Sequence, residues 1–301
     1  MRDISGKYDT LRTARASSRL HVHTTTIEAI RTGNVPKADP IGVARIAAIQ
    51  AAKNTSLLIP YCHQVPLDHV AVDIAFDGDS IVVTTEVKAI WKTGVEMEAL
   101  VAASVAALTL YDMLKPIDES MRIGETLLLE KRGGKSNMRE NGEGLTAAVL
   151  VLSDSVSKGE KSDASGLLIV ERLKSYSLRS TSYRVMPDDP ASIEKELEAL
   201  ADTKSVDLII TTGGTGMGPR DNAPEATLAV IEKRLEGVEE MLRSYGQQRM
   251  PMAMLSRCVV GVRGTTLIIN LPGSRSGVED GLNALFPAIF HLFGIMRGAG
   301  H

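Results

Sequence analysis

The 301-residue chain has few aromatic residues, one Trp, six Tyr and four Phe, or 4% in all. Its cores must therefore rest on Ala, Val, Leu, Ile and Met. Cysteine is as scarce: Cys62 and Cys258 are the only two. Two cannot form a disulfide framework, so a reducing, cytoplasmic setting is expected. No long apolar run is present. The longest uncharged apolar run, residues 99–111, has 13 residues, short of the ~20 that span a bilayer. The opening, with Arg2, Asp3 and Lys7, offers no signal-peptide core. Neither sign of charge dominates: 34 Lys+Arg face 37 Asp+Glu, and the first 140 residues carry 17 of each. Neither half has the basic surplus of a nucleic-acid binder, although a local cluster of Lys and Arg can hold a small anion. Membrane, secreted, nucleic-acid-binding and disordered classes are set aside on these grounds.

What is present fits a globular chain, 44% hydrophobic and 24% charged. At about 100–200 residues per domain, two domains are expected. Residues 133–144, GGKSNMRENGEG, are glycine-rich, and Met138 is their only large apolar residue. Such a stretch cannot bury a core. The predicted division is a domain at 1–137, a linker at 138–144 and a domain at 145–301.

In the first segment, DPIGVARIAAIQAAK at 39–53 has Pro at its start and helical apolar spacing. Residues 69–76 and 80–88 alternate as strands around the turn Asp77-Gly78-Asp79. Residues 94–115 read as a long, Ala-rich helix. The set predicts an α+β domain with an antiparallel sheet. The second segment alternates: strands at 145–152, ending near 187, at 206–212 and around 258–271, with helices near 165–176, 191–201, 223–235 and 276–296. That order predicts a three-layer α/β domain with a mostly parallel sheet. Four polar loops follow its strands, starting at Ser153, Pro187, Thr211 and Leu271. Ligand crevices lie at the carboxyl ends of such strands.

On the predicted 94–115 helix, Glu98 and Asp112 stand fourteen residues apart. That places them on one stripe but roughly 21 Å apart along the axis. A single small ligand reaches both only if two subunits share the site. Asp112 and Lys115 are three apart and face alike. They are either an exposed ion pair or an acid–base pair in which the ammonium lowers the carboxylate pKa and the lysine itself acts on the substrate, a lysine of lowered pKa serving the proton transfers. Cys62-His63, between Pro60 and Pro66, is poor geometry for one metal. It reads as a substrate-lining loop or as a structural Cys beside an exposed His. TTGGTGMGPRD at 211–221 lacks the Gly-Lys-Ser/Thr ending of a P-loop. It is a phosphate- or ring-binding loop or a plain tight turn. Asp188 and Asp221 can hold Mg²⁺ or cap the helices that begin at Pro190 and Pro224.

KADPIGVARIAAIQAAK, LIPYCHQVPL, KTGVEMEALVAASVAALTLYDMLK, EKRGGKS and the opening MRDISGKYDTLRTARA resemble the MoaC family of cyclic pyranopterin monophosphate synthases, over residues 1–137. The resemblance implies a ferredoxin-like α+β fold and a homo-oligomer, from dimer to hexamer, with sites shared between subunits. It implies conversion of a GTP-derived cyclic nucleotide, 3′,8-cyclo-7,8-dihydro-GTP, to cyclic pyranopterin monophosphate and pyrophosphate, with no cofactor. It implies Asp112 as acid/base with Lys115 its partner, and Lys37 and Lys131 as further catalytic or phosphate-contacting lysines. Tyr61, Cys62 and His63 match the substrate loop, Met97 and Glu98 a second substrate contact, and Arg12 and Glu96 are also matched. Gln64-Val65 stand where the family commonly has Pro after the His, which bears on the loop's shape.

VLVLSDS, MPDDP, IITTGGTGMGPRDNAPEAT and LSRCVVGVRGTTLIINLPGS resemble the MoaB/MogA family of molybdopterin-binding domains, over about residues 145–297. The resemblance implies a trimer-forming α/β fold and a molybdopterin site. One branch adenylylates molybdopterin with ATP and Mg²⁺; other members are non-catalytic pterin-binding or scaffold modules. Asp188 and Asp221 match the two functional aspartates. Ser153, Thr212, Gly213, Gly214, Thr215, Gly216, Pro272, Gly273 and Ser274 match the pterin- and nucleotide-binding loops.

Overall fold

A computed structural model describes residues 1–134, 140–203 and 206–298. The chain divides into two compact units, Met1–Asn137 and Met138–His301. Residues 138 and 139 of the predicted linker lie outside the described residues. Its remainder runs along the second unit: Gly142 N donates to Tyr176 O at 2.8 Å, and Glu143 bridges Leu178.

The first unit runs β1 (Thr10–His21), α1 (Thr24–Arg31), α2 (Pro40–Lys53), a one-turn α3 (Thr55–Leu58), β2 (His69–Asp77), β3 (Ser80–Trp91), α4 (Glu96–Leu114) and β4 (Arg122–Arg132). Its sheet order is β2-β3-β1-β4, with every pairing antiparallel. This is the ferredoxin-like arrangement. Sequence patterning anticipated α2, β2, β3 and α4 but not β1, α1 or β4. Asp39 starts α2 by accepting from Ile41 N at 3.0 Å, with Pro40 at the first helical position. Alanines supply the packing that the missing aromatics do not. Ala44, Ala48 and Ala52 of α2 and Ala102 and Ala106 of α4 pack with Leu20, Ile81 and Val83 of the sheet. Ala99 and Ala103 pack with Ala14, Ala16, Val87 and Ala89. Helix α4 has 19 residues and is long and apolar enough, by length and composition, to cross a membrane; half of it is buried inside this unit. It is the central packing helix of the first unit.

The second unit runs β5 (Thr146–Leu152), a short α5 (Asp154–Ser157), α6 (Ser165–Lys174), β6 (Ser180–Met186), α7 (Pro190–Glu198), β7 (Leu208–Thr212), α8 (Ala223–Val230), β8 (Lys233–Arg234), α9 (Glu236–Gln247), β9 (Val260–Arg263), β10 (Thr266–Leu271), α10 (Arg275–Leu285) and α11 (His291–Met296). The sheet order is β6-β5-β7-β10-β9-β8. The first four strands are parallel, and β9 and β8 are antiparallel. β5 and β7 are buried along nearly their whole length, as continuous apolar strands covered on both faces should be.

Two predicted helices need correction. The 223–235 helix stops at Val230, because Glu232 N donates to Val262 O at 2.8 Å and Leu235 N to Val260 O at 2.7 Å. Sheet pairing takes these residues away from the helix and makes β8. The 276–296 helix is broken into α10 and α11 around Pro287, where no backbone N–H is available. Helix α9 was not anticipated. Its buried Glu239 accepts from Arg234 at 2.8 and 2.9 Å and from Val260 N at 3.1 Å. A buried carboxylate so fully paired anchors α9 to the strand edge.

Candidate functional site

Helix α4 carries a charged cluster at each end. At its C-terminal end, Asp112 lies between two lysines. Lys115 Nζ is 2.8 Å from Oδ1 and Lys37 Nζ 3.0 Å from Oδ2, and Lys37 also donates to the Asp112 carbonyl at 2.8 Å. The hydrogen bonds from Lys115 and then Lys37 hold the carboxyl below its ordinary value. In turn Asp112 raises Lys115, so the expected lysine of lowered pKa is not found. Next to a carboxylate, the ammonium form is the favoured one. The expected exposed i,i+3 pair exists, but Lys37 makes it a triad. Lys37 is presented from a turn in which Ala38 adopts φ 67°, a left-handed conformation unusual for a residue with a Cβ.

At the N-terminal end of α4, Lys131 Nζ lies 3.4 Å from Glu96 Oε1. Glu98 is only 4% exposed. Burial pushes its carboxyl up to about 7, with the Glu96 charge adding to the rise. Burial also raises the Cys62 thiol, and the Glu98 charge adds to it. Arg12 turns inward, Nε donating to Trp91 O at 3.1 Å and Nη2 to Lys92 O at 3.4 Å. His63 Nε2 is 2.8 Å from Arg2 O. Tyr61 is exposed, and Met97 lies on the surface of the first turn. The two clusters therefore sit at opposite ends of one helix, roughly 20 Å apart at about 1.5 Å per residue. Within one chain Asp112 and Glu98 share a helix but not an environment: one is exposed and the other buried.

In the second unit the predicted loop residues converge at the carboxyl ends of the parallel strands. Thr212 Oγ1 donates to Pro272 O at 2.7 Å, and Gly213 N to Leu271 O at 3.1 Å. Gly213, at φ +100°, leaves no room for a side chain, since a Cβ there would sit 2.2 Å from Leu152 O. Gly214, at φ +64°, packs where a Cβ would meet the Asp188 carboxylate at 2.6 Å. Both positions need glycine on conformational and steric grounds. Ser153 caps α5 through Val156 N, and Ser274 caps α10 through Gly277 N. Gly216 passes the Asp221 carboxylate, and Gly273 lies against Gly213.

Neither functional aspartate candidate is a helix cap. Asp189, not Asp188, caps α7, accepting from Ser192 N at 2.9 Å. Asp221 Oδ2 accepts from Gly218 N at 2.7 Å, inside its own loop. Asp188 Oδ1 accepts a long 3.4 Å bond from Asn222 N. Burial, followed by the charges of Asp221 and Asp154, pushes the Asp188 carboxyl up to about 6. A half-buried carboxyl facing two others, with Arg220 engaged by Asp154, is a place that favours a cation. Among the described residues no group of three or more His, Cys, Asp or Glu forms a metal site. Asp188 and Asp221 thus fit a cation that takes its other oxygens from phosphate and water, as Mg²⁺ does.

Several residues that shape this edge escaped sequence reasoning. Arg257 donates from Nε to Gly216 O at 2.7 Å and from Nη2 to Asp221 O at 2.6 Å, and it pairs with Glu225. One guanidinium thereby ties both ends of the 216–221 excursion. Ser165 Oγ donates to Gly273 O at 2.8 Å. Asn270, fully buried, donates to Thr211 and Thr227, each at 2.9 Å. Single polar residues such as these have no periodicity or spacing to mark them.

The MoaC family profile matches residues 1–134, and one described as "Probable molybdopterin binding domain" matches residues 148–291. A molybdenum cofactor biosynthesis bifunctional protein of Chlorobaculum tepidum is 43% identical over 301 residues, spanning 100% of this chain and 96% of its own. A protein of the same description from Synechococcus elongatus is 37% identical over 315 residues, spanning 100% of this chain and 98% of its own. A cyclic pyranopterin monophosphate synthase of Novosphingobium aromaticivorans is 52% identical over 136 residues, which are 45% of this chain and 87% of that protein. With matches running the full length of this chain and nearly all of both bifunctional relatives, the chain belongs to the molybdenum cofactor biosynthesis bifunctional proteins, joining a MoaC domain to a MoaB/MogA-type domain.

Proposed function

We propose that the first unit converts 3′,8-cyclo-7,8-dihydro-GTP to cyclic pyranopterin monophosphate and pyrophosphate. The carrying observation is the Asp112 carboxylate gripped by Lys37 and Lys115. Held ionised, Asp112 accepts protons as the purine ring opens and the pterin closes. Lys115, held protonated, donates them and meets phosphate oxygens. Glu98, with a carboxyl at about 7, can exchange a proton near neutral pH. Lys131, Glu96 and Cys62 lie with it at the other end of α4. We place one active site across two copies of the chain, each giving one end of α4, in a homo-oligomer between dimer and hexamer.

The second unit binds molybdopterin and transfers adenylate from ATP to its phosphate, releasing pyrophosphate. The carrying observation is Asp188, pushed up to about 6 beside Asp221 and engaged in no helix cap. Asp188 and Asp221 would hold Mg²⁺, which supplies charge neutralisation on the ATP phosphates. The glycine-rich 214–216 loop can bring backbone amides to phosphate oxygens.

The test is the purified full-length chain given each substrate separately, with pyrophosphate and product measured. Formation of cyclic pyranopterin monophosphate and of adenylylated molybdopterin supports both assignments. If molybdopterin binds but no pyrophosphate leaves ATP, the second unit is a non-catalytic pterin-binding module instead. If the cyclic nucleotide is not turned over, the first assignment fails.

A further inference from the structure

Three neighbouring parallel strands, β6, β5 and β7, end at Met186, Leu152 and Thr212. The loops that leave them carry Asp188, Asp154 and the 213–221 excursion. Arg220 lies near the tip of a turn in that excursion. Asp221 N donates to Gly218 O at 3.0 Å, and Gly218 N donates to Asp221 Oδ2 at 2.7 Å. Pro219 takes the first central position, which its fixed φ suits. The two arginines of this region are used differently. Arg257 turns its donors onto Gly216 O, Asp221 O and Glu225 and so braces the turn. The Arg220 side chain is 68% exposed and reaches across to the β5 loop, where Nη2 pairs with Asp154 Oδ2. Asp188 feels both ends of this bridge, since the Asp154 charge raises its carboxyl and the Arg220 charge lowers it. Asp154 does not complete a metal-binding set with Asp188 and Asp221, because no group of three such ligands occurs among the described residues. An exposed ion pair contributes little to folding, so an incoming anion of higher charge displaces the carboxylate easily.

We propose that Arg220 binds the outer phosphates of the nucleoside triphosphate and that Asp154 is its placeholder, which the guanidinium leaves when those phosphates arrive. The proposal rests on the reading that the second unit transfers adenylate from ATP, and it adds the residue that holds the leaving pyrophosphate. A guanidinium fork fits two phosphate oxygens as it fits two carboxylate oxygens. The triphosphate carries more charge than the single carboxylate it replaces. Arg220 immediately precedes Asp221, so the phosphates nearest to it are those that Asp188 and Asp221 would position through Mg²⁺. In adenylate transfer the attacking oxygen bonds to the α-phosphorus, the bond to the bridging oxygen breaks, and its electron pair leaves with pyrophosphate. A guanidinium already seated on the outer phosphates meets that growing charge. The brace from Arg257 keeps the backbone of the turn in place while the Arg220 side chain changes partner.

The experiment measures binding of Mg-ATP and, separately, of molybdopterin to the full chain by calorimetry. Arg220→Met should weaken Mg-ATP by about 10- to 100-fold, the worth of hydrogen bonds to a charged group, and leave molybdopterin affinity unchanged. Arg220→Lys should recover part of the loss, because it keeps the charge without the fork. Asp154→Asn frees the guanidinium and should tighten Mg-ATP by up to about 5-fold, the worth of one exposed ion pair. Undiminished Mg-ATP binding in Arg220→Met overturns the role of the arginine. Molybdopterin weakened as much as Mg-ATP overturns the assignment to the triphosphate, since the phosphate then belongs to the pterin. Weaker Mg-ATP binding in Asp154→Asn overturns the placeholder and makes Asp154 part of the cation site. If the unsubstituted chain binds molybdopterin but no Mg-ATP, the adenylyl-transfer reading of the unit falls, and this proposal with it.

Discussion

The two units build their sites from opposite materials. In the first, the proposed chemistry rests on charged side chains, exposed around Asp112 and buried at Glu98. They gather in two clusters that one straight helix keeps roughly 20 Å apart at about 1.5 Å per residue. In the second, four loops meet within one chain, and backbone carries much of the geometry: Gly213 against Leu152 O, Gly214 against Asp188, and carbonyls of Gly216 and Asp221 on one arginine. As proposed, a site made of separated charged ends takes another copy to close it. A site made of converging loops needs only its own fold, and it is correspondingly intolerant of added volume.

Subunit mixing tests that contrast with the largest expected effect. Asp112→Asn should lower cyclic pyranopterin monophosphate formation by about 10²–10⁴-fold, the usual worth of a positioned acid–base group. Co-assembly with a Glu98→Gln chain should restore part of the activity, because one shared site then receives both intact ends. The same mixing of Asp188→Asn with Asp221→Asn should restore no adenylylation. Recovery in the second pair, or its absence in the first, breaks the comparison.

Added volume separates the units next. Gly213→Ala puts a Cβ on backbone at 2.2 Å in a left-handed conformation. It should cost more than ~2 kcal/mol in urea unfolding of the second unit. Lys37→Ala, removing an exposed side chain, should cost less than about 1 kcal/mol while impairing turnover of the cyclic nucleotide.

The elements that sequence patterning revealed were those with strong hydrophobic contrast: α2, α4, β2 with β3 around Asp77-Gly78-Asp79, and the buried β5 and β7. β1 was missed because its inward positions include small residues, Ala14, Ala16 and Ser18, which carry little apolar signal. β4 was missed because Leu127, Leu128 and Leu129 run consecutively on a sheet edge and are all exposed, which breaks alternation. α9 buries Glu239, so its inward face does not read as apolar. At the sites, spacing joined Lys115 to Asp112 because they are one helical turn apart. Lys37 lies 75 residues away, and only the family resemblance pointed to it. The second-unit loops were legible from glycines after apolar strands, whereas the side chains that brace them were not.

Arg257 sharpens the point that the second site depends on backbone placement. Arg257→Ala releases Gly216 O and Asp221 O together, and a displacement of about 1 Å at a reacting centre can cost 10²-fold. Adenylylation should fall by about that factor through kcat as well as KM, with the cyclic nucleotide reaction unchanged. Arg257→Lys should recover only part, since one ammonium cannot reproduce the planar fork that spans two carbonyls. Faster amide exchange confined to residues 216–221 would identify the cause as loop position. Full activity in Arg257→Ala would remove the arginine from the site.

The smallest effects have opposite signs in the two units. Asp112 is held below its ordinary value by Lys115 and Lys37. It therefore contributes stability above the unfolded value of 3.8 and loses it as pH falls through the lower folded value. Asp112→Asn should lower the unfolding midpoint slightly at neutral pH and leave it unchanged in strong acid. Asp188 stands at about 6 in the folded chain against 3.8 unfolded, so the folded state binds the extra proton between these values. Its contribution is complete below 3.8 and is lost as pH rises to about 6. Asp188→Asn should be more stable than the parent at neutral pH, by about 1–2 kcal/mol once solvent screening of a half-exposed group is allowed for. That gain should shrink toward nothing near pH 4. Glu98, pushed up to about 7, is present in the parent and in both variants, so it cancels in each difference. A stabilised Asp188→Asn that no longer adenylylates would show that the second site keeps a destabilising carboxylate for its chemistry. An Asp188→Asn whose stability tracks the parent at every pH would mean that this carboxyl is not perturbed at all.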